Sequence, residues 1–256
     1  MKAGLITGAS SGIGKELARI HASKGNNVLL VARRKEKLDE LSQEINKQFG
    51  VTCLTYAIDL SDKEAVKGLV DEIRKAGIQV NYLFNNAGFG GWGAFSNRSE
   101  IEDANMIEVN IQALTYLMHA FIPDMIKHGE GKILNTASTA GFIPGPLQAT
   151  YFATKSYVVS LTKATNFELR KTPITVTALC PGPVKTEFDQ VAGMGKSEMF
   201  DKAADAYSTA KKGYDAMMKG KTIIISEFGY GILIKCLAPF IPDRFVMKMV
   251  EKIQSK

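Results

Sequence analysis

Residues 3–25 read as a short apolar run, AGLI, then Thr7-Gly8-Ala9-Ser10-Ser11-Gly12-Ile13-Gly14, then the helical pattern KELARIHASKG ending at Gly25. A strand that turns through closely spaced glycines into a helix brings free backbone N–H groups and the positive helix end to one point, an arrangement suited to a phosphate. The glycines permit the tight turn and let a pyrophosphate approach the backbone. The spacing is GxxxGxG rather than the more general GxGxxG, and taken alone it also serves as a plain strand–helix turn.

The rest of the chain repeats the alternation. NVLLVA (27–32), VTCLTYAID (51–59), VNYLFNNAG (80–88), KILNTAS (132–138), ITVTALCPG (174–182) and TIIIS (222–226) read as further strands. Helical patterns separate them at 35–48, 62–76, 99–128 (one long helix, whole or broken), 148–171 and 197–218, with Ser61 and Glu64 forming a capping box for the third helix. Strands alternating with helices predict an α/β fold, a Rossmann-type doubly wound, seven-stranded parallel sheet flanked by helices on both faces. Such crossovers are right-handed, and ligands bind at the carboxyl edge of the sheet. The length of 256 residues, 45% apolar and 23% charged, suits a single dinucleotide-binding and catalytic domain spanning 1–256. Within it, 183–219 reads as a substrate-loop region and 227–256 as a C-terminal extension.

In dinucleotide folds the end of the second strand meets the adenosine ribose, where a carboxylate holds a 2′-OH and an arginine accommodates a 2′-phosphate. Here that strand ends Ala32-Arg33-Arg34, with no carboxylate before Glu36. Guanidinium groups are planar, paired donors for phosphate, so NADP(H) is expected over NAD(H). The bland alternative is that both arginines are solvated helix-start residues.

Tyr151 and Lys155 are four residues apart, and Ser138 stands thirteen before Tyr151. On a helix the pair shares a face, one turn apart. A free tyrosine titrates near ~10, and a neighbouring ammonium favours the phenolate, pulling that value down toward the working pH. A phenol so tuned can protonate an alkoxide or deprotonate an alcohol, and a serine hydroxyl can hold the same oxygen. The set suits carbonyl–alcohol interconversion and needs a bound hydride source. Tyrosine and lysine at this spacing are common on helices, and the upstream turn is what gives the pair meaning.

Taken together, Thr7 to Gly14, Asp59-Leu60, Asn85-Asn86-Ala87-Gly88, Asn110, Ser138, Tyr151-x-x-x-Lys155 and Pro181-Gly182 resemble the short-chain dehydrogenase/reductase family over almost the whole chain. The resemblance implies that Tyr151 is the general acid in reduction and the base in oxidation. Lys155 would lower its pKa and bind the nicotinamide ribose, Ser138 would hold the carbonyl oxygen, and Asn110 would hold a water linking Lys155 to solvent. Gly8, Ser10, Ser11, Ile13 and Gly14 would surround the pyrophosphate. Asp59 would bond the adenine amino group beside Leu60, and Asn86, Ala87 and Gly88 would line the adenosine side. Pro181, Gly182, Val184 and Thr186 would face the nicotinamide. Arg33 resembles the NADP-preferring branch, whereas Ser11 stands where many NADP-using members carry a basic residue. The implied activity is an oxidoreductase acting on CH–OH donors (EC 1.1.1.-) with a ketone or 3-oxoacyl substrate; the alternative is a catalytically silent NADP(H)-binding sensor.

Met194, Met199 and Phe200 are candidates either for an apolar lid or for packing into the core, and Phe89, Trp92 and Phe95 for an opposite pocket wall, which would favour a hydrophobic ketone or acyl chain. The tail, a basic amphipathic segment ending PDRFVMKMVEKIQSK, has three readings: packing on the core, an oligomer interface, or contact with a membrane surface. The net charge of +6 comes without a dense basic tract, so no nucleic-acid partner is expected. Cys53, Cys180 and Cys236 lack CxxC spacing and read as small buried residues in a reducing compartment. No metal, no secretion signal and no spanning segment are expected, which places the chain in the cytoplasm. Family members are commonly homodimers or homotetramers, and the helices over 99–128 and 148–171 are long enough to pair with symmetry mates.

Overall fold

The computed structural model describes residues 1–188, 192–193, 203–227 and 241–255. Met194, Met199, Phe200 and Cys236 lie outside the described residues. The helix expected from 197 begins only at Ala206, where the Asp205 side chain caps it, and Ala204 just before it is bridged to Val184 in extended form.

Seven parallel strands form one sheet in the order β3-β2-β1-β4-β5-β6-β7. They are β1 (Lys2–Thr7), β2 (Asn27–Ala32), β3 (Cys53–Ala57), β4 (Gln79–Asn85), β5 (Gly131–Thr136), β6 (Ile174–Cys180) and β7 (Ile223–Ile225). The helices are α1 (Gly12–Ala22), α2 (Lys35–Phe49), α3 (Lys63–Lys75), α4 (Glu100–Ile107), α5 (Leu114–His128), α6 (Ala149–Glu168), α7 (Ala206–Met218) and α8 (Asp243–Gln254). This is the doubly wound Rossmann-like fold.

Both faces of the sheet are covered, so the strands are apolar on both sides rather than alternating. Leu5, Leu29 and Leu83 pack with Val66 and Leu69 of α3, Leu117 of α5 and Val158 of α6. Ile6, Leu30, Phe84 and Leu134 face the other way, onto Leu17 of α1, Leu38 and Ile45 of α2 and Met217 of α7. The strand order reverses at β1, which pairs with β2 on one side and β4 on the other. The loops leaving the two neighbours therefore diverge, opening a crevice above their carboxyl ends.

The observed strands β3, β4, β5 and β6 are shorter than their apolar runs, ending at Ala57, Asn85, Thr136 and Cys180. Asp59, Gly88, Ser138 and Gly182 thus lie on the loops beyond the ladder. An apolar run does not mark where its hydrogen-bonded neighbour stops. The expected cap of α3 is also displaced by one residue. Asp62 Oδ1 accepts from the N–H groups of Glu64 and Ala65 at 2.9 and 3.2 Å. Ser61 instead donates its N–H and hydroxyl to Asp59 Oδ1, both at 2.9 Å. A carboxylate is the stronger acceptor for helix-end donors, and Ser61 is already engaged in the turn.

Of the two readings of the helix over 99–128, whole or broken, the structure takes the broken one. A π-helical turn, Glu108–Ala113, separates α4 from α5. Of the three readings of the tail, its described helix takes packing on the body. Val246 and Val250 of α8 are buried with Met106, Ala140, Tyr151 and Phe152.

Candidate active site

The loops at the carboxyl edge enclose a cavity of about 620 Å³. Gly8, Ser10, Ser11, Ile13, Arg33, Arg34, Asp59, Leu60, Asn86, Ala87, Gly88, Ser138, Tyr151, Lys155, Pro181, Gly182, Val184 and Thr186 line it. Of the catalytic and cofactor-binding residues expected from the sequence, Gly14 and Asn110 do not line it.

The glycine turn is built backbone against backbone. Gly8 has φ of +66°, and a Cβ on Gly14 would lie 2.3 Å from the Gly8 carbonyl oxygen. Side chains at either position would push α1 away from the turn. The first turn of α1 has no acidic residue, and Ser11 makes no side-chain cap to it. Its N–H groups thus keep their affinity for an anion, and the close backbone approach leaves room for one. Thr7 braces the turn from below: its hydroxyl accepts from the N–H groups of Asn86 and Ala87 at 2.9 and 3.0 Å. Asn86 in turn gives its amide N–H to the Thr7 carbonyl at 3.1 Å and accepts from the Thr136 hydroxyl at 3.2 Å. It binds three strand ends together as well as lining the cavity.

At the far side of the turn, Arg34 donates to Ser10 Oγ at 3.1 Å and pairs with Glu187 at 2.8 Å. Hydrogen bonding from Arg34, and then from Ser11, holds the Glu187 carboxyl below its ordinary range against a smaller opposing effect of burial. Arg33 is 73% exposed and stands 3.9 Å from Asp59, a loose contact. Two guanidinium groups thus flank this end of the cavity, one already partnered by a carboxylate. Sequence reasoning missed Glu187, because nothing local marks a residue after β6 as a neighbour of one after β2.

At the other end, α6 carries Tyr151 and Lys155 inward, 9% and 4% exposed. Lys155 Nζ donates to the Thr136 carbonyl at 2.9 Å and stands 5.7 Å from the Tyr151 ring centre. Ser138 stands beside the Tyr151 side chain and favours its phenolate. The Ser138 hydroxyl also accepts from Ala140 N–H at 3.1 Å and donates to the Pro181 carbonyl at 3.3 Å. The expected lowering of the Tyr151 pKa does not hold among the protein's own groups. Burial pushes the phenol up to about 12, with the nearby Ser138 pulling the other way. Burial also pulls Lys155 down to about 8, so the ammonium meant to stabilise a phenolate is itself weakened.

Asn110 sits in the π-helical turn, 1% exposed. Its amide accepts from Phe89 N–H at 3.1 Å and donates to the Phe89 carbonyl at 3.0 Å and the Thr154 hydroxyl at 3.1 Å. It fixes the loop after β4 against α6, immediately behind Gly88 and Lys155. Isolated π-turns are frequent where a side chain must be aimed out of helical register. Glu227, also absent from the sequence reading, accepts from Gly182 N–H at 2.8 Å and fixes the loop after β6.

Phe89, Ile143, Phe152, Phe188, Met249 and Ile253 surround the cavity near Tyr151. Trp92 does not line the cavity as expected; its indole N–H is bonded to the carbonyl of Gln254 at 2.9 Å. Phe95 is 71% exposed and does not line the cavity.

The comparisons with known proteins agree with this geometry. The family model for short chain dehydrogenase matches residues 2–197. Sulfoacetaldehyde reductase 2 of Chromohalobacter salexigens is 36% identical over 199 residues, covering 77% of this chain and 78% of the relative. A short-chain dehydrogenase from Sphingobium yanoikuyae in complex with NADPH superposes with a TM-score of 0.85 at 29% identity, over 91% of this chain and 90% of the other. A short-chain dehydrogenase/reductase from Burkholderia phymatum in complex with NAD gives 0.82 at 26% identity, over 91% and 92%. The chain is an oxidoreductase of the short-chain dehydrogenase family.

Proposed function

We propose that this single-domain chain is an NADP(H)-dependent reductase of ketones or related carbonyl compounds, acting in the cytoplasm as a homodimer or homotetramer. The observation that carries the reading is the convergence of Ser138, Tyr151 and Lys155 at one end of a cavity whose other end is flanked by Arg33 and Arg34. The glycine turn and the N-terminus of α1 would hold the pyrophosphate, Arg34 with Arg33 the 2′-phosphate, and Lys155 the nicotinamide ribose. The bound nicotinamide supplies the hydride.

The chain's own residues handle the oxygen and its proton. Ser138 holds the carbonyl oxygen beside the phenol. Tyr151 donates its proton to that oxygen as negative charge develops there. A phenol with a pKa of about 12 stays protonated across the physiological range, so it carries the proton that carbonyl reduction calls for. Lys155 in its charged form eases the loss of that proton, and Asn110 keeps the loop after β4 at the distance the ammonium needs. Exposed Tyr116 of α5 with Tyr157 and Phe167 of α6 support pairing of these helices between copies. Cys53 and Cys180 are both buried, in keeping with the reading of small core residues in a reducing compartment.

The test is a parallel titration of the protein with NADPH and NADH, followed by turnover of a carbonyl panel with Tyr151→Phe alongside. NADPH should bind at least tenfold more tightly than NADH. Tyr151→Phe should leave that affinity nearly intact and cut turnover at least ~100-fold. Turnover retained by the variant would remove Tyr151 from the reaction; binding without turnover on any carbonyl would favour a sensor.

A further inference from the structure

One wall of the cavity does not come from the sheet or its crossover loops. It is the inner edge of α8, which contributes Met249, Val250, Ile253 and Gln254. Val246 and Val250, one turn apart, are buried and hold the helix on Met106 and Phe152. Met249 and Ile253, also one turn apart, are 45% and 52% exposed at the cavity rim. They stand with Phe89, Ile143, Phe152 and Phe188 around the space next to Tyr151.

The helix is fastened at its far end by the one tryptophan of the chain. The Trp92 indole N–H donates to the Gln254 carbonyl at 2.9 Å, satisfying an acceptor that the last turn of a helix cannot pair internally. The Trp92 backbone N–H donates to the Ala192 carbonyl at 3.0 Å, and its own carbonyl accepts from Arg98 at 3.2 Å. Trp92 thus joins α8, the segment after β6 and the loop after β4 around the mouth of the cavity.

We propose that α8 is the substrate-selecting wall of the site and that it selects carbonyl compounds bearing an extended apolar chain. The carbonyl would lie at Ser138 and Tyr151 and the chain against Met249 and Ile253. This rests on the reductase reading above and adds to it the class of substrate and the residues that choose it. The physical basis is simple. Two half-exposed apolar side chains at the rim lose contact with water only when something apolar lies on them, and each methylene placed there tightens binding up to about fourfold. Short carbonyl compounds reach Tyr151 without touching this wall and gain nothing from it.

The experiment measures reduction of 2-butanone, 2-hexanone, 2-octanone and 2-decanone by wild type and by a Met249→Ala/Ile253→Ala double variant. Phe245→Ala, on α8 but outside the cavity lining, serves as the control. Wild-type KM should fall along the series. The double variant should raise KM for 2-decanone about tenfold with kcat little changed, and move KM for 2-butanone less than twofold. Cofactor affinity and melting temperature verify that each variant folds. Equal shifts for the short and the long ketone, or none, would overturn the proposal. Binding is read separately as the change in Trp92 fluorescence when cofactor-loaded protein is titrated with 2-decanone or 2-butanone. Failure of the longer ketone to bind more tightly also overturns it. Tight binding of 2-decanone that depends on Met249 and Ile253, with no ketone reduced, supports the wall and would sink the reductase reading alone.

Discussion

Tyr151 shows how burial and charge compete at one residue. Spacing places an ammonium one turn from the phenol, and Coulomb attraction alone would lower its pKa. The folded protein removes both groups from water, and that cost raises the phenol to about 12 while drawing Lys155 down to about 8. Arg34 poses the same problem with the opposite outcome, because its partner Glu187 is half exposed and remains ionised. A 2′-phosphate arriving at Arg34 must displace a carboxylate of the same sign. Glu187→Gln should therefore tighten NADPH binding about twofold to fivefold, the range expected of an exposed ion pair, and leave NADH binding unchanged. Fluorescence titration of both cofactors decides this. A parallel change for NADH would mean that Glu187 shapes the loop rather than competing for the guanidinium.

At the scale of elements, α4 is held by a buried charge network as well as by the apolar packing of Met106. Arg98 Nε donates to Asp103 Oδ1 at 2.7 Å, and the Thr150 hydroxyl donates to Asp103 Oδ2 at 2.7 Å. The pair is nearly closed to water, with side chains 8% and 12% exposed. The network fastens the loop after β4, α4 and the start of α6 to one another, next to Leu147, whose φ of +65° is unusual for a branched residue. Removing the Asp103 charge leaves the buried Arg98 with only a longer contact, 3.5 Å, to the exposed Glu102. Asp103→Asn should lower stability by about 3 kcal/mol, measured by denaturant unfolding. It should also raise the KM for the carbonyl compound while leaving NADPH affinity unaltered, since the glycine turn is fastened separately through Thr7. Equal losses in substrate and cofactor binding would show that the two ends of the cavity are not separately braced.

At the scale of the whole molecule, α1, β4 and α7 meet at His21, which is fully buried against Tyr82, Phe84 and Tyr214. Burial lowers its pKa to about 3. The folded-state value lies below the unfolded one near 6.5, so the unfolded chain takes up the proton first as pH falls. The contribution of neutral His21 to stability is complete above about pH 6.5 and is lost progressively as the pH drops toward 3. Between pH 6.5 and 5 this should remove about 2 kcal/mol. A His21→Gln variant should be less stable at pH 7 yet lose less on acidification, as measured by urea unfolding at each pH. Identical pH slopes for the two proteins would assign acid sensitivity elsewhere.

The amino-acid sequence by itself determined the fold class, the order of strands and helices, and the residues that gather at one sheet edge. These follow from apolar periodicity and from glycine, arginine and tyrosine–lysine spacings, which are local signals, and a parallel sheet brings all its carboxyl ends to the same edge. Only the tertiary structure decided where each strand stops, that Asp62 rather than Ser61 caps α3, and that the helix holding Asn110 is broken by a π-turn. It alone put Glu187 on Arg34, Glu227 on Gly182 and the C-terminal helix over the cavity beside Tyr151. Those pairings join residues far apart in the chain, and they depend on desolvation and packing that no short stretch of sequence contains.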